Sequence, residues 1–300
     1  MRLRTRLERL SSPSAVAIGN FDGLHAGHRR ILALLAAEAR RRRLLSVVLT
    51  FRPHPRIALG QRVPLISTDA QRLQALQAQD LDRLYFIDFA AVAALPAAAF
   101  VRDVLLAKLQ ARLLVVGGDF RFGRGREGDL ARLRRETAGR CVVLRAPEAR
   151  RGGRRVASSR IRRLLAAGDV AAAGRMLTRP YFIDGVVVRG AGRGTRLGFP
   201  TMNIASDNAL LPPGVFHTLL ELGGRRYTSA TFIGSAPTFA RPGEAPGAPR
   251  VETHVPGFRG QVYGRRVRLH FVSRLRRERK FAGAEALAAQ IARDVAALGI

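Results

Sequence analysis

Two histidines three residues apart, His25 and His28, close the stretch Ala17-Ile18-Gly19-Asn20-Phe21-Asp22-Gly23-Leu24-His25-Ala26-Gly27-His28. Imidazoles can donate hydrogen bonds to phosphate oxygens and steady the charge that develops as pyrophosphate leaves. The apolar run from Ser14 to Gly19 reads as a strand, Asp22-Gly23 as a turn, and the residues from about Gly27 as a helix. That order sets both imidazoles at a helix amino terminus, where unpaired N–H groups and the helix dipole already attract phosphate. Glycine at 27 lets the backbone approach closely. A lone histidine would read as a satisfied surface or core residue; a pair at this spacing on a strand-turn-helix reads as a phosphate site.

A second string, Gly-Thr-Arg-Leu-Gly-Phe-Pro-Thr-Met-Asn at 194–203, poses a related question. It is no P-loop, since no Gly-Lys-Ser/Thr follows, and the glycines at 190, 192 and 194 do not form a dinucleotide fingerprint. Pro200 pushes Phe199 into extended backbone, so Thr201 and Asn203 point to the same side. A hydroxyl and an amide oxygen are hard ligands suited to Mg²⁺ carried by a nucleotide. The alternative is the polar face of an edge strand.

The elements that must position these residues fall into two textures. Strand-like runs at 14–19, 44–51, 84–89, 113–117 and 141–146 alternate with helical stretches. Residues 28–43 carry Ile31, Leu32, Leu35 and Ala39 on one stripe, and 97–110 carry Phe100, Val101, Val104, Leu105 and Leu109. Such alternation predicts a parallel α/β sheet with its ligand site at the carboxyl ends of the strands. Two short helices broken at Gly168-Asp169 follow, over 158–177. From Tyr181 the chain becomes short strands separated by Gly and Pro, at 181–190, 214–224, 225–234, 250–255 and 261–273, which predicts an antiparallel barrel or sandwich. A last helix at 283–298 presents Leu287, Ile291, Val295 and Leu298 on the face that should pack on it. The domain boundary is predicted near Thr178, giving 1–178 and 179–300, and 241–250 reads as a Pro/Gly loop.

Length and a 47% hydrophobic content allow two ordinary cores, and no window approaches the ~20 apolar residues of a membrane helix. The Arg-rich opening Met1–Ala15 resembles a transit peptide but holds Glu8 and runs into a strand, so it reads as the first edge of the fold. A single cysteine, Cys141, can form no internal disulfide and points to a reducing cytoplasm; in its strand-like run it reads as a buried small hydrophobe. The net charge of +30 suggests a phosphate-bearing partner such as RNA or DNA. Yet only Lys108 and Lys280 are lysines, the arginines are spread along the chain, and with no Trp and four Tyr there is little to stack on bases. Weak, salt-dependent polyanion binding is expected, without a dedicated nucleic-acid or membrane role.

The stretch 19–28 resembles the HxGH signature of nucleotidyltransferases, and within them the bacterial bifunctional riboflavin kinase/FMN adenylyltransferases, or FAD synthetases. Thr50–Pro55, Val115–Asp129 and Ala157–Arg162 are similar to further motifs of that family, in its order. Taken alone, these read equally as a rigid Pro-His-Pro loop, a tight surface turn and a serine helix cap. The resemblance implies a Rossmann-like HxGH domain in which Gly19, Asn20, His25 and His28 contact ATP, the Asp119-Phe120 loop borders nucleotide and flavin, and Ser158, Ser159 and Arg162 hold phosphates. Ala157 stands where the family has a first serine, and Arg52 where an acidic residue is common.

The second string resembles the Gly-x-Pro-Thr-Ala-Asn motif of riboflavin kinases, with Met202 in place of alanine. Leu211–Phe216, Ile233–Phe239, Val251–His254, Val262–Gly264 and Arg276–Phe281 match in order, so the likeness runs from Ser14 to Asp294. It implies that Gly198, Pro200, Thr201 and Asn203 bind nucleotide, that Thr201 and Asn203 ligate Mg²⁺, and that Glu252 takes the proton of the riboflavin ribityl hydroxyl. A carboxylate within hydrogen-bond reach can do so; an exposed strand residue paired with arginine is the alternative. The activity implied is phosphorylation of riboflavin by ATP to FMN, then adenylylation of FMN by ATP to FAD and pyrophosphate. Two other readings are an adenylyltransferase with a degenerate kinase domain and a basic nucleic-acid-binding protein on the same fold. Retention of both motif sets argues against each.

Overall fold

The computed structural model describes residues 1–190, 192–235 and 249–299, the side chains of Arg193 and Ser235 excepted. Most of the Ile233–Phe239 motif and of the Pro/Gly loop lies outside the described residues. Two compact units divide between Ser158 and Ser159.

The first unit is built on six parallel strands: β1 (Arg2–Arg4), β2 (Ser14–Ile18), β3 (Leu45–Arg52), β4 (Arg83–Asp88), β5 (Ala111–Val116) and β6 (Val142–Arg145). Their order is β1-β4-β3-β2-β5-β6. All five expected strands are present, and the Arg-rich opening supplies the edge strand β1, paired with β4. β2 is buried along its whole length because both faces are covered. On one face Ala15, Ala17 and Val48 meet Leu32, Leu35 and Ala39 of α1 (Ala26–Arg42), with Ile31 packed alongside. On the other, Val16, Ile18, Val47 and Leu49 meet Phe100, Val101, Val104 and Leu105. The alternation of Cβ direction along each strand thus sorts its residues between two cores.

α1 ends at Arg43, left-handed at φ 55°, with Arg40, Arg41 and Arg42 in the last turn where the helix dipole favours cations. The helix expected over 97–110 differs in kind: after one α turn at Ala97–Ala99, Phe100–Lys108 is a π-helix. Its buried residues fall at 100, 101, 104 and 105, and the Leu109 N–H donates to the Val104 carbonyl five residues back at 2.9 Å. The wider turn keeps this apolar pair pattern on the sheet. α2 (Asp69–Gln77) starts with a capping box in which Thr68 and Gln71 exchange side-chain bonds.

The second unit holds most of α3 (Ser158–Ala166), all of α4 (Val170–Leu177), and a closed antiparallel barrel. Its strands are β9 (Tyr181–Val188), β10 (Thr201–Ala205), β11 (Gly214–Leu222), β12 (Arg225–Ser235), β13 (Pro249–His254) and β14 (Arg266–Arg276), in the order β10-β13-β12-β11-β14-β9. A two-stranded hairpin, β7 (Arg150–Arg151) and β8 (Arg154–Arg155), precedes α3 in the first unit. The helices break at Gly168-Asp169 as expected: Gly168 is left-handed at φ 73°, and Asp169 caps α4 by accepting from the Ala172 N–H at 3.0 Å. α4 lies on β14 and β9, and Arg274 donates to the Ala167 carbonyl at 2.7 Å. The stretch 159–177 therefore folds with the barrel.

Inside the barrel the rings of Tyr181, Phe216 and Phe271 pack at 5.3 to 5.7 Å, and beside them four hydroxyls meet. Thr218 lies 2.8 Å from Ser229 and 2.6 Å from Thr231, and Thr231 lies 3.0 Å from Thr253. α5 (Ala284–Ala296) leaves Leu287, Ile291 and Val295 half-buried, and Leu298 just beyond it is buried. The helix also buries Asp294, whose carboxylate accepts from Arg276 at 2.9 Å, a pairing with no trace in the hydrophobic pattern. Among the described residues no helix is long and apolar enough to cross a membrane.

Cys141 packs half-buried against the π-helix core, and burial pushes its thiol up to about 12, with Arg112 opposing. The thiol is raised above its ordinary value of ~8.5, so it stays protonated in the folded protein and the associated stability declines as pH rises from ~8.5 toward about 12. Labelling with a disulfide reagent at pH 8 should run ~10³-fold slower in the native protein than in denaturant; comparable rates would place the thiol in water.

Candidate active sites

Strand order reverses around β2, with β3 on one side and β5 on the other; of the residues singled out in the first half, Gly19, Asn20, His25 and His28 follow the carboxyl end of β2, and Asp119 and Phe120 follow that of β5. Between β2 and α1 the chain passes through left-handed backbone at Phe21 (φ 51°), Gly23 (φ 76°) and Leu24 (φ 43°). Phe21 and Leu24 are buried, which fastens the turn from below. Asp22 fastens it from the side. Its carboxylate, 2% exposed, accepts from the Ile66 N–H at 3.0 Å, the Ser67 N–H at 3.1 Å and the Ser67 hydroxyl at 3.3 Å. Ser67 in turn accepts from the Gly23 N–H at 3.1 Å, and a Cβ on Gly23 would stand 2.8 Å from Ile66.

The turn delivers His25 as the N-cap of α1, its Nδ1 accepting from the His28 N–H at 3.3 Å. With Nδ1 an acceptor, the neutral ring carries its proton on Nε2, which is then a donor. The two imidazoles stack at 3.6 Å and 14°, and Phe21 meets the His28 ring edge-on at 5.3 Å. A Cβ on Gly27 would press on the His25 ring at 3.2 Å, and one on Gly19 would touch the Phe21 ring at 3.1 Å, so both glycines clear space for rings. The Asn20 carbonyl accepts from Arg72 at 2.9 Å and Thr50 at 3.4 Å.

After β5, the Phe120 N–H closes a turn on the Gly117 carbonyl at 3.2 Å. Phe120 stacks on Phe122 at 5.4 Å, while Asp119 is largely exposed and pairs with Arg155 of β8 at 3.2 Å. The Val156 carbonyl stands 3.9 Å from where a Gly27 Cβ would be, which brings the segment leading into Ser158 alongside the start of α1. Ser159 and Arg162 fall in the second compact unit.

In the barrel, Thr201, Asn203, Glu252 and His254 share one face. β10 and β13 pair antiparallel with Asn203 opposite Glu252 and Thr201 opposite His254, and directly paired residues point the same way. Their alternates, Thr253 and Ile204, are buried in the barrel, so the four polar side chains face outward, each half-buried. The segment ending at Pro200 folds back over them. The Phe199 N–H donates to the Gly194 carbonyl at 2.8 Å, Gly198 is left-handed at φ 82°, and His254 Nδ1 bonds the Pro200 carbonyl at 2.8 Å. A Cβ on Gly194 would stand 2.9 Å from the Thr201 hydroxyl, and one on Gly190 would collide with the Asn203 amide. Met202 lies opposite Thr253, on the other side of β10 from Thr201 and Asn203.

Three residues of these sites escape the sequence reading. Asp22 is visible there only as a turn residue, Arg155 only as one of many arginines, and His254 only as the end of the Val251–His254 motif, with no role of its own. Its spacing of two from Glu252 on a strand is the signal that would have found it.

Residues 7–160 match the FAD synthetase family and residues 177–299 the riboflavin kinase family. A bifunctional riboflavin kinase/FMN adenylyltransferase of Bacillus subtilis is 32% identical over 94% of this chain and 90% of its own length. The chain belongs to this bifunctional family. Relatives of the same description from Escherichia coli and Pseudomonas fluorescens are 34% and 35% identical, each over 93% of this chain and 90% of their own. A crystal structure from Streptococcus pneumoniae, described as a macrolide-efflux protein, superposes with a TM-score of 0.86 at 27% identity, covering 99% of this chain and 98% of its own. The family's two-domain architecture is the one described here, a parallel α/β unit and a closed barrel with a terminal helix.

Asp22→Ala removes a buried acceptor from three donors and should lower stability by ~2–4 kcal/mol, read as a fall in the unfolding midpoint. Asp119→Ala, at an exposed ion pair, should cost less than ~1 kcal/mol. Equal effects would mean that Asp22 does not hold the turn.

Proposed function

We propose that the chain phosphorylates riboflavin with ATP in the barrel unit and adenylylates the resulting FMN with ATP in the α/β unit, giving FAD and pyrophosphate. The observation that supports this reading is that two separate groups of residues each bring together side chains of the kind the chemistry uses. One is a stacked histidine pair at a helix amino terminus beside a strand-order reversal; the other is a carboxylate directly across from the Thr-x-Asn pair.

In the kinase reaction, Glu252 is assigned as the base that accepts the ribityl 5′-hydroxyl proton while that oxygen bonds to the γ-phosphorus and ADP leaves. Thr201 and Asn203 offer a hydroxyl and an amide oxygen on Glu252's face, in space that Gly190 and Gly194 keep clear. That hard-oxygen set fits Mg²⁺ arriving with the nucleotide, which would supply charge neutralisation at the transferring phosphate. Gly198 and Pro200 shape the turn that covers them.

In the adenylyl transfer, an FMN phosphate oxygen bonds to the α-phosphorus of ATP and the bond to the pyrophosphate oxygen breaks. His25 and His28 are assigned as donors to the oxygens on which charge accumulates, together with the first N–H groups of α1. Gly19 and Asn20 line the turn before them; Asp119 and Phe120 border the nucleotide and flavin; Ser158, Ser159 and Arg162 hold phosphate. On this assignment the adenylyltransferase machinery runs through the stretch up to residue 178 and the kinase occupies 179–300, although 159–177 folds with the barrel. The single cysteine supports a cytoplasmic setting, and the dispersed arginines support only unspecific, salt-sensitive binding to polyanions.

Incubation with riboflavin, ATP and Mg²⁺ should yield FMN and then FAD on chromatographic separation; formation of neither would overturn the reading. Glu252→Gln keeps size and polarity but not basicity, so FMN formation should fall ~10²-fold or more while supplied FMN still becomes FAD. His28→Ala should do the reverse, with FMN accumulating. A folded variant that lost both reactions would refute two separate sites. Gly190→Ala, which drives a methyl into the Asn203 amide, should lower the kinase rate ~10²-fold and spare adenylyl transfer, an outcome checked in the same assay.

A further inference from the structure

Arg72 is a cation buried where no substrate has been assigned to it. It sits on the first turn of α2 with its side chain 2% exposed, and its guanidinium reaches across the carboxyl ends of three neighbouring strands. Nη1 donates to the Asn20 carbonyl just beyond β2 at 2.9 Å. Nη2 donates to the Phe51 carbonyl near the end of β3 at 2.7 Å and to Asp69 at 2.8 Å. The ring of Phe86, on β4, lies 4.8 Å from the guanidinium carbon.

Burying a charge in this way is costly unless its donors are satisfied, and a core that needed only bulk would be served by leucine or methionine. Burial pulls the guanidinium pKa down from its ordinary value, while Asp69 and Asp22 oppose that pull. What the cation supplies in return is geometry. A planar fork can hold two carbonyls from different strands at a fixed separation, which no single-point donor can do. The carbonyls it holds belong to Asn20, five residues before the His25 cap, and to Phe51, three before His54. The segment leading into the same helix is tied to the histidine turn from the other side, through Asp22 and Ser67.

We infer that Arg72 is a positioning residue for adenylyl transfer, clamping the Asn20 and Phe51 carbonyls so that the histidine turn and the Pro-His-Pro loop keep one fixed separation across the nucleotide site. The inference rests on the adenylyltransferase reading above. Arg72 touches no reacting atom, so its removal should act on the reacting geometry more than on the affinity for either substrate. A misplacement of about 1 Å in such a site costs ~10²-fold in rate.

The test compares wild type, Arg72→Met and Arg72→Lys in full-length protein. It measures kcat and KM for FAD formation, the riboflavin kinase rate, and hydrogen exchange of β2 and β3. Arg72→Met should lower kcat for FAD formation ~10²-fold with KM for ATP and FMN within ~3-fold, unchanged kinase activity and retained amide protection. Arg72→Lys keeps the charge and can satisfy one carbonyl, so it should recover about tenfold of that loss. A merely structural role would instead appear as lost protection in β2 and β3 with KM and kcat per folded molecule unchanged. That result, or a protected Met variant with wild-type kcat, overturns the inference. Should the Met variant fail to fold, the Lys variant decides: a protected protein ~10-fold slow in FAD formation alone supports the clamp, and wild-type kcat overturns it. Wild-type protein that makes no FAD would sink the adenylyltransferase reading itself, a failure distinct from either.

Discussion

The α/β unit depends on a backbone conformation that L-residues avoid. Phe21 and Leu24 both adopt positive φ, at 51° and 43°, in a turn that must end a buried strand and start a helix within seven residues. Left-handed backbone costs roughly 1–2 kcal/mol per residue away from glycine. The cost is met by burial of the two side chains and by the Asp22 carboxylate, which gathers the N–H groups of Ile66 and Ser67 under the turn. From that constraint follow the placement of His25 as a cap, the stacking of His28 on it, and the exposure of the first turn of α1 to the site. A shallower turn would start the helix later and separate the rings.

The barrel unit reaches its site by a different route. No strained turn is needed there, because a strand register does the work: once Asn203 stands opposite Glu252, pleating sends both to one side along with Thr201 and His254. A slip of β13 by one residue would turn Glu252 and His254 into the barrel, away from Thr201 and Asn203, and bring Thr253 out of it. The hydroxyl contacts of Thr253 inside the barrel therefore guard the register on which the outer face depends. One site relies on local backbone conformation and the other on long-range pairing, so they respond to different kinds of sequence change.

This difference explains what the sequence made legible. The helix start at His25 and His28, the β-then-α texture of the first half, and the shared side of Thr201 and Asn203 all come from periodicities of a few residues, which a single chain displays openly. The pairing of Asn203 with Glu252 and the reach of Arg72 to Asn20, 52 residues away, come from topology and leave no local mark. The π-helix at Phe100–Lys108 lay between these cases. Its apolar spacing is visible in the chain but fits the commoner α-helical period equally well. Resemblance to a known family supplied Glu252, whose own neighbourhood in the chain carries no sign of a base. The stretch 159–177 reads as belonging with the first half from its motif and folds with the second from its apolar face, a conflict that only packing exposes.

The four hydroxyls inside the barrel bear on how such a protein can drift through mutation. Each hydroxyl has one proton to donate and can also accept, and Thr218 and Ser229 lie within reach of one another's carbonyls as well as of one another, so the protons of the group are shared out interdependently. Changing Thr231 alone to valine would take from Thr253 its hydroxyl contact and leave Thr218 to Ser229 alone, although the methyl fits where the hydroxyl was. Replacing the whole set by hydrocarbons would leave nothing unmet. The two interiors, one polar and one apolar, are therefore each viable yet divided by single substitutions that are worse than either. A lineage holding one of them would cross to the other only by simultaneous change, so the threonines at these positions should be inherited as a block.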